Sequence, residues 1–375
     1  MKLSFVTFGN ISQHATLKRA TGMAPILQSK GVEVSILLED SPDNRARAQL
    51  ECPDATIYYH HRHKSPFQER SQKIAYLKKI QPDVVWICGV GIRNWILPSK
   101  AFPVVLGDHA ELLSGIQQRS FLRRCWDALN EWAHIPSFSG QICASRYLEK
   151  LYTKRNKQLA LSRPVHYSPY AYNAEVLESK PTILDSLQGA YGDKKNILYM
   201  GSFWENYGFW DMLYVFRDLL QERSDFRVLM MGKGPEKEAG IAWLEEKKLS
   251  DKIRILGYIP EEELSSYFHL ADAFVCPLRD TVQDWARCPS KLFMYLPFQK
   301  PIVTCPIGEA VEIFGEDGFY YTPGNRPEMK QALNRVLDTT GFTTFVDPKL
   351  HSWEQRTEDF LTWLRDNKQQ FTLEF

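Results

Sequence analysis

The chain has 375 residues, of which 44% are hydrophobic and 24% charged, and its formal net charge at pH 7 is +1. One core rarely supports a chain of this length, so we expect two domains. No segment approaches the ~18 consecutive apolar residues of a membrane span, and MKLSFVTFGN lacks the apolar core and cleavage site of a signal peptide. The seven cysteines are scattered without CxxC spacing, which is typical of reduced thiols in a cytoplasmic protein.

The charge is divided unevenly along the chain. Residues 1–180 carry 24 Lys and Arg against 15 Asp and Glu, and the remainder carries 22 against 30. This asymmetry favours two domains with different partners. One interpretation is that the basic half contacts an anionic membrane surface or an acidic acceptor; the other is chance surface composition.

The first half alternates strand-like and helical patterns. Apolar runs begin at Leu3, Val32, Thr56, Asp83, Pro103 and Gln141, and helical periodicity covers residues 14–30, 67–80, 114–134 and 145–155. Such alternation predicts a doubly wound parallel sheet. We therefore assign residues 1–170 to an acceptor-side, Rossmann-like domain.

Residues 164–195 break this rhythm with several prolines and glycines and no long periodic segment. We interpret residues 171–195 as the interdomain linker. Strand-like runs then restart at Asn196, Phe226, Lys252, Ala273, Pro301 and Gly318, with helical patterns between them. We expect a second Rossmann-like domain over 196–345 and a C-terminal helix in 346–375 that crosses back to the first domain. The predicted fold class is α/β, with two doubly wound domains facing a cleft.

A series of motifs in the second half carries a resemblance to a known family. The segments are LYMGSFWENYG from Leu198, VLMMGKGPE from Val228, IRILGYIPEEELSSYFHLADAFVCPL from Ile253, PSKLFMYLPFQKPIVT from Pro289 and GFYYTPGN from Gly318. In this order they resemble the nucleotide-sugar-binding domain of GT-B glycosyltransferases of family 4, or group 1, the glycogen-synthase-like type. The resemblance covers residues 196–325; the first half matches only in rhythm and in GDH from Gly107.

The resemblance implies transfer of a sugar from a nucleoside diphosphate sugar, with UDP or GDP as the nucleotide, to a hydroxyl of a glycan or glycolipid. It further implies retention at the anomeric carbon, no required metal, no other cofactor and no nucleic-acid partner. We expect a cytoplasmic protein, or one bound peripherally at the inner face of a membrane through its basic N-terminal domain.

The sequence departs from the family at its charged positions. The family usually has an Arg after the first strand, a Lys-Gly pair, and two glutamates separated by seven residues. Here Ser202 follows Gly201, Tyr207 precedes Gly208, and Ala286 and Met294 occupy the glutamate positions. Because methionine accepts hydrogen bonds only weakly, this Glu-x7-Glu motif is degenerate.

Basic residues near the start of the helix after Pro289 offer a replacement. We hypothesise that Arg287 and Lys291, with Ser290 and Lys233, hold the diphosphate; alternatively the cations are solvated and Ser290 only caps the helix. Asp284 would accept sugar hydroxyls, and Trp285 would stack on the sugar or pack against the domain. The predicted donor-side residues are Gly201, Ser202, Gly232, Lys233, Gly234, Tyr258, Ile259, Asp284, Trp285, Arg287, Ser290, Lys291, Leu292 and Met294.

In the first domain, polar residues follow predicted strands. Gly9, Asn10 and His14 are expected on the acceptor side, and His109 with neighbouring Asp108 is the predicted catalytic pair, since an imidazole there can orient a hydroxyl or take its proton. The alternative is that these side chains cap the next helix.

Two further clusters are ambiguous. HHRHK from His60 has no carboxylate or Cys at ligand spacing nearby, which favours a solvated edge and no metal site. The segment from Arg119 to His134 mixes arginines with Phe and Trp; it predicts either a helix on an anionic membrane or ordinary core packing.

The missing glutamates keep other functions open. The chain is also consistent with a non-catalytic GT-B protein that acts as a glycan-binding or partner scaffold. A nucleotide-sugar epimerase is a third interpretation, although such enzymes usually carry more carboxylates and histidines in the cleft.

Overall fold

The computed structural model describes residues 1–10, 15–94, 101–172, 181–342 and 346–371. The chain packs into two compact units. Unit 1 is Met1–Asn173, Trp285–Cys288 and Leu350–Phe375, and unit 2 is Ala174–Asp284 and Pro289–Lys349. Within the described residues, no helix combines the length and the apolar character that a membrane crossing requires.

Unit 1 is built on a parallel seven-stranded sheet. Its strands are β1 (Lys2–Val6), β2 (Glu33–Glu39), β3 (Thr56–His60), β4 (Val84–Cys88), β5 (Val104–His109), β6 (Gly140–Cys143) and β7 (Val165–Tyr167). Their order is β3-β2-β1-β4-β5-β6-β7, so the direction of winding reverses between β1 and β4. The central strands are buried along their whole length, which explains their continuous apolar runs.

The helices of unit 1 are α1 (Ala15–Ser29), α2 (Pro42–Glu51), α3 (Pro66–Ile80), α4 (Phe121–Ala133), α5 (Arg146–Gln158), α14 (Trp353–Asp366) and α15 (Lys368–Phe371). Serines cap several of them: Ser41, Ser120 and Ser145 each accept a backbone N–H from the first turn, as helix N-termini require. The C-terminal helix α14 closes the core, where the Phe360 ring lies 4.6 Å from that of Trp86.

Unit 2 has a parallel six-stranded sheet of similar design. Its strands are β8 (Lys195–Ser202), β9 (Phe226–Lys233), β10 (Ile253–Gly257), β11 (Ala273–Cys276), β12 (Ile302–Thr304) and β13 (Phe319–Tyr320). Their order is β10-β9-β8-β11-β12-β13. The winding here reverses between β8 and β11, so these two strands define the switch point of the sheet.

The remaining helices are α6 (Leu184–Tyr191), α7 (Phe209–Glu222), α8 (Lys237–Glu246), α9 (Glu261–Leu270), α10 (Val282–Ala286), α11 (Ser290–Tyr295), α12 (Glu309–Phe314) and α13 (Arg326–Asp338). Single 3-10 turns occur at Leu113–Gly115, Ile135–Ser137, Glu205–Tyr207, Leu296–Phe298 and Pro348–His351. Asn325 caps α13 by accepting the N–H of Glu328.

The structure differs from the predicted linker. Residues 171–195 include helix α6 and the first residue of β8, and α6 packs on α9, where the Ile183 N–H donates to Ser266 Oγ at 3.1 Å. Sequence periodicity missed this helix because it is only eight residues long and carries a glycine, Gly189.

Candidate functional site

The candidate site of unit 2 lies at its switch point, where ligands bind in open α/β sheets. Gly201 and Ser202 end β8. The loop that follows meets the loop after β11, since a Cβ on Gly208 would lie 2.9 Å from Pro277 Cβ. Gly208 itself has a φ of 76°, a left-handed conformation that favours glycine.

Lys291 brings a positive charge to this point. Its Nζ lies 4.4 Å from the centroid of the Tyr199 ring, a cation–π distance. A Cβ added to Gly201 would lie 2.5 Å from the same Nζ. The predicted residues Gly201 and Lys291 therefore do come together, and the absence of a side chain at Gly201 leaves room for the ammonium group over the strand end.

Two tyrosines fix this arrangement, and neither was among the predicted site residues. The Tyr199 hydroxyl donates to the Ser202 carbonyl at 2.9 Å, which curls the end of β8. The Tyr295 hydroxyl, at the end of α11, accepts the Met200 N–H at 2.8 Å. The alternation of strand side chains was an available signal for Tyr199, because it stands two residues before Gly201 and thus on the same face.

The glycines at the end of β9 allow close packing of the backbone of unit 2 itself. A Cβ on Gly232, whose φ is 145°, would collide with the Gly201 carbonyl, and a Cβ on Gly234 would collide with the Phe203 carbonyl. Gly232 and Gly234 are both among the predicted donor-side residues. In this structure glycine is required at these positions because β8 and β9, and the residues that follow them, approach each other closely.

Lys233 and Tyr258 also meet at the carboxyl ends of their strands. Lys233 Nζ lies 3.9 Å from the centroid of the Tyr258 ring. Tyr258 is 57% exposed and Ile259 is half-buried. This pair offers an open aromatic face and a cation on the same edge of the sheet as Lys291.

The loop before α11 is braced internally. Asp284 is buried, and its carboxylate accepts the Arg279 N–H at 2.6 Å. The Arg279 guanidinium donates to the Glu205 carbonyl, also at 2.6 Å. This placement speaks against the predicted role of Asp284 in binding sugar hydroxyls, because its carboxylate shapes the loop.

The residues after Asp284 are divided between the units. Trp285 and Arg287 are half-buried and belong to unit 1, so the structure does not place them with Lys291 in one unit. On α11, Leu292 is buried while Ser290 and Met294 are half-buried, and the N-cap residue is Pro289, with Ser290 the first residue of the helix.

Ala286, which occupies the first glutamate position, is fully buried. It packs in an apolar cluster with Leu112, Ile135, Cys143, Leu148 and Tyr152. Its carbonyl accepts the Ser145 hydroxyl at 2.7 Å. A glutamate at this position would place a carboxylate in that cluster, so the local packing requires a small apolar residue.

The structure does not join the predicted catalytic pair. Asp108 and His109 are both buried, and as neighbours in β5 they point to opposite faces of the sheet. Asp108 accepts the Trp86 indole N–H at 3.0 Å and pairs with Arg19, with 3.2 Å between Asp108 Oδ2 and Arg19 Nε. The Asp108 carboxyl is thus held by the core of unit 1.

His109 is equally enclosed. Its Nε2 lies 2.6 Å from Gln141 Oε1, and its ring stacks on Tyr152 with 3.7 Å between centroids. Burial lowers the pKa of His109 to about 3, so the imidazole is neutral at pH 7. Because its Nε2 is hydrogen-bonded to Gln141 and its ring is covered by Tyr152, His109 is a packing residue in this structure. This placement speaks against its predicted role as a base.

Two of the three predicted acceptor-side residues, Gly9 and Asn10, follow β1 at the switch point of unit 1. The Gly9 N–H donates to Glu39 at 2.9 Å, and the Asn10 amide donates to Asp43 at 2.8 Å. His14 lies outside the described residues. In the HHRHK segment, His60 is buried and contacts the Thr7 carbonyl, whereas His61 and Arg62 are exposed. Within the described residues, no group of three or more His, Cys, Asp and Glu could hold a metal ion.

Comparisons with known proteins agree with this architecture. Residues 194–339 match the family model described as Glycosyl transferases group 1. One curated relative is the 2-deoxystreptamine N-acetyl-D-glucosaminyltransferase of Niallia circulans, which is 24% identical over 170 residues. That alignment covers 45% of this chain and 42% of the relative, so the chain spans less than half of the curated relative's length.

Solved structures match both units. HepE of Anabaena, in complex with UDP and glucose, has a TM-score of 0.75 and 12% identity, covering 98% of this chain and 100% of that one. Sucrose-phosphate synthase of Thermosynechococcus elongatus has a TM-score of 0.71 and 15% identity, covering 99% of each chain. The fold is GT-B. At these identities the likeness shows the fold alone, which confirms the predicted fold class.

Proposed function

We propose that this protein is a glycosyltransferase that moves a sugar from a UDP-sugar to a hydroxyl of a glycan or glycolipid acceptor. The observation that carries the proposal is the Lys291 ammonium over Tyr199 and Gly201, at the switch point of the unit that matches the glycosyltransferase family model. UDP is favoured over GDP because the HepE structure holds UDP.

In this proposal Lys291 contacts the diphosphate of the donor. An ammonium group so placed stabilises the negative charge that develops on the departing diphosphate, which is the main catalytic contribution available to such a site. Tyr258 and Lys233 lie on the same sheet edge for the nucleoside part of the donor. Retention at the anomeric carbon and activity without a metal are parts of the proposal taken from the family resemblance.

The first experiment is a thermal-shift titration of the protein with UDP, GDP, ADP and TDP, followed by calorimetry with the nucleotide that binds. A ligand that binds only the folded state raises the unfolding midpoint as its concentration exceeds Kd. We expect UDP to raise the midpoint and Lys291→Met to weaken its binding by about 10- to 100-fold, because a charge-assisted phosphate contact contributes about 1.5–3 kcal/mol.

Lys300→Met is the matched control, since Lys300 is also half-buried and lies beyond the other end of α11. It should leave the UDP affinity unchanged. If Lys291→Met binds UDP as tightly as the wild type does, the proposed diphosphate contact is wrong.

The non-catalytic scaffold is the second candidate, and the burial of Ala286 favours it. Together with Met294, this residue removes both carboxylates of the usual pair. The scaffold interpretation expects no thermal shift with any nucleotide and no release of UDP from a UDP-sugar. Binding of UDP with turnover of a UDP-sugar would exclude it.

A further inference from the structure

Helix α4 of unit 1 turns its apolar side to solvent. Phe121 is 76% exposed, Leu122 80%, Trp126 52% and Leu129 61%. With 3.6 residues per turn, these positions fall on one side of the helix. A surface helix normally buries such a stripe, so α4 has the opposite orientation.

The polar side of α4 is anchored inward by ion pairs. Asp127 is 4% exposed and pairs with Arg119 at 2.6 Å and with Arg123 at 3.2 Å. Glu131 is 8% exposed and pairs with Arg155 at 3.2 Å. Glu131 also accepts the backbone N–H and the hydroxyl of Ser114. Because Arg155 and Ser114 lie outside α4, the contacts of Glu131 fix the rotation of the helix and hold its apolar side toward solvent.

The charge next to this face is basic. Both carboxylates of α4, a helix that the structure describes in full, are buried, whereas the Arg123 side chain is 59% exposed and that of Arg119 is 30% exposed. Two guanidinium groups share the one carboxylate of Asp127, which leaves net positive charge at the border of the apolar face. An anionic surface complements this border.

We propose that α4 docks unit 1 on the surface of an anionic lipid bilayer. Phe121, Leu122, Trp126 and Leu129 enter the interfacial region, and Arg119 and Arg123 meet lipid phosphates. Large apolar and aromatic side chains beside arginines are the composition of interfacial helices. The exposure of these four side chains speaks against the core packing that the sequence left open as the alternative. The proposal is independent of the proposed sugar transfer.

The test is co-sedimentation of the full chain with vesicles of phosphatidylcholine containing about 30% phosphatidylglycerol, and with phosphatidylcholine alone. We expect binding to the anionic vesicles and weaker binding to the neutral ones. Leu122→Ser with Leu129→Ser should reduce partitioning at least about tenfold, since two exposed leucines supply much of the buried apolar area. Both positions are exposed, so the fold should persist.

A matched control replaces two leucines of unit 1 with similar exposure, Leu50 at 80% and Leu350 at 55%. Leu50→Ser with Leu350→Ser should partition like the wild type. The proposal is overturned if the wild type does not bind anionic vesicles, or if the Leu122 and Leu129 variant binds them equally well. A dimer that this variant abolishes, without vesicle binding, would overturn it in favour of a second copy on this face. The vesicles carry no sugar, so failure leaves the transferase proposal untouched.

Discussion

At the scale of single residues, burial changes what a polar side chain can do. His109 is the last residue of β5, and we predicted it as a catalytic residue, but Gln141 and Tyr152 enclose its ring. Lys291 lies in the first turn of a helix, and its ammonium lies over Gly201, which has no side chain. Sequence position predicted a polar role for both, and only the packing around each one distinguishes them.

His109 should make stability depend on pH. Its pKa in the folded protein is lowered to about 3 by burial, from 6.5, with the hydrogen bond to Gln141 opposing that shift. Below pH 6.5 the imidazole of His109 is therefore protonated in the unfolded chain but neutral in the folded chain. As a result, the free energy of unfolding falls as the pH falls. We expect His109→Gln to flatten this fall between pH 6.5 and 4.5 by about 1.4 kcal/mol per pH unit, measured by urea unfolding.

Gln141→Ala provides the control for that slope. It removes the hydrogen bond to His109, so it should lower stability at every pH, but the buried imidazole remains and the slope should stay as in the wild type. An unchanged slope in His109→Gln would contradict the burial of this ring.

At the scale of elements, β8 extends beyond the residues that pair with β11, and a side chain forms the hydrogen bond there. β11 pairs with β8 only at Ile197 and Leu198, and farther along β8 the Tyr295 hydroxyl takes the Met200 N–H. The short helix α11 is thereby tied to the strand that ends in Gly201. The regular helix ends at Tyr295, and a 3-10 turn follows.

Tyr295→Phe tests this connection. The phenyl ring should keep its stack on Phe274, whose centroid is 4.1 Å away, while the Met200 N–H loses its partner. The bond is part-buried, so leaving this donor unpaired should cost about 1 kcal/mol, the lower end of the range for buried groups. We expect that loss in the free energy of unfolding, measured by urea titration, together with weaker UDP binding as α11 loosens.

Tyr267→Phe is the comparison, because Tyr267 is also buried and its hydroxyl makes no hydrogen bond to any residue that the structure describes. It should change stability by only a few tenths of a kcal/mol. Equal effects of the two substitutions would show that the Tyr295 hydroxyl does not brace β8.

At the scale of the whole molecule, unit 1 draws on both ends of the chain. Trp353, Phe360 and Leu364 of α14 are buried, and the Trp353 indole lies over Gly22 of α1, where a Cβ would come within 2.5 Å of its Nε1. The first unit is therefore completed only when residues after unit 2 have been added.

Removal of residues 350–375 should unfold unit 1 selectively. Each large buried side chain contributes about 1.5–3 kcal/mol, and their sum is comparable to the whole stability of a domain. Hydrogen exchange should show loss of protection in β1, β2 and β4 and retained protection in β8 and β9. The single substitution Leu350→Ser should leave both sheets protected, and protected β1 amides in the truncated chain would contradict the expectation.

The layout of this protein could be predicted from its pattern of apolar and polar residues. Buried parallel strands have continuous apolar runs in the sequence, so the two α/β sheets were visible as patterns. The tertiary structure decided which polar side chains stay accessible, since that depends on residues far apart in the chain. It enclosed Asp108 and His109, placed Lys291 over Tyr199, and turned the apolar side of α4 outward because Asp127 and Glu131 are buried and Glu131 pairs with the buried Arg155. Periodicity records that a helix has two sides, but only the packing partners determine which side faces solvent.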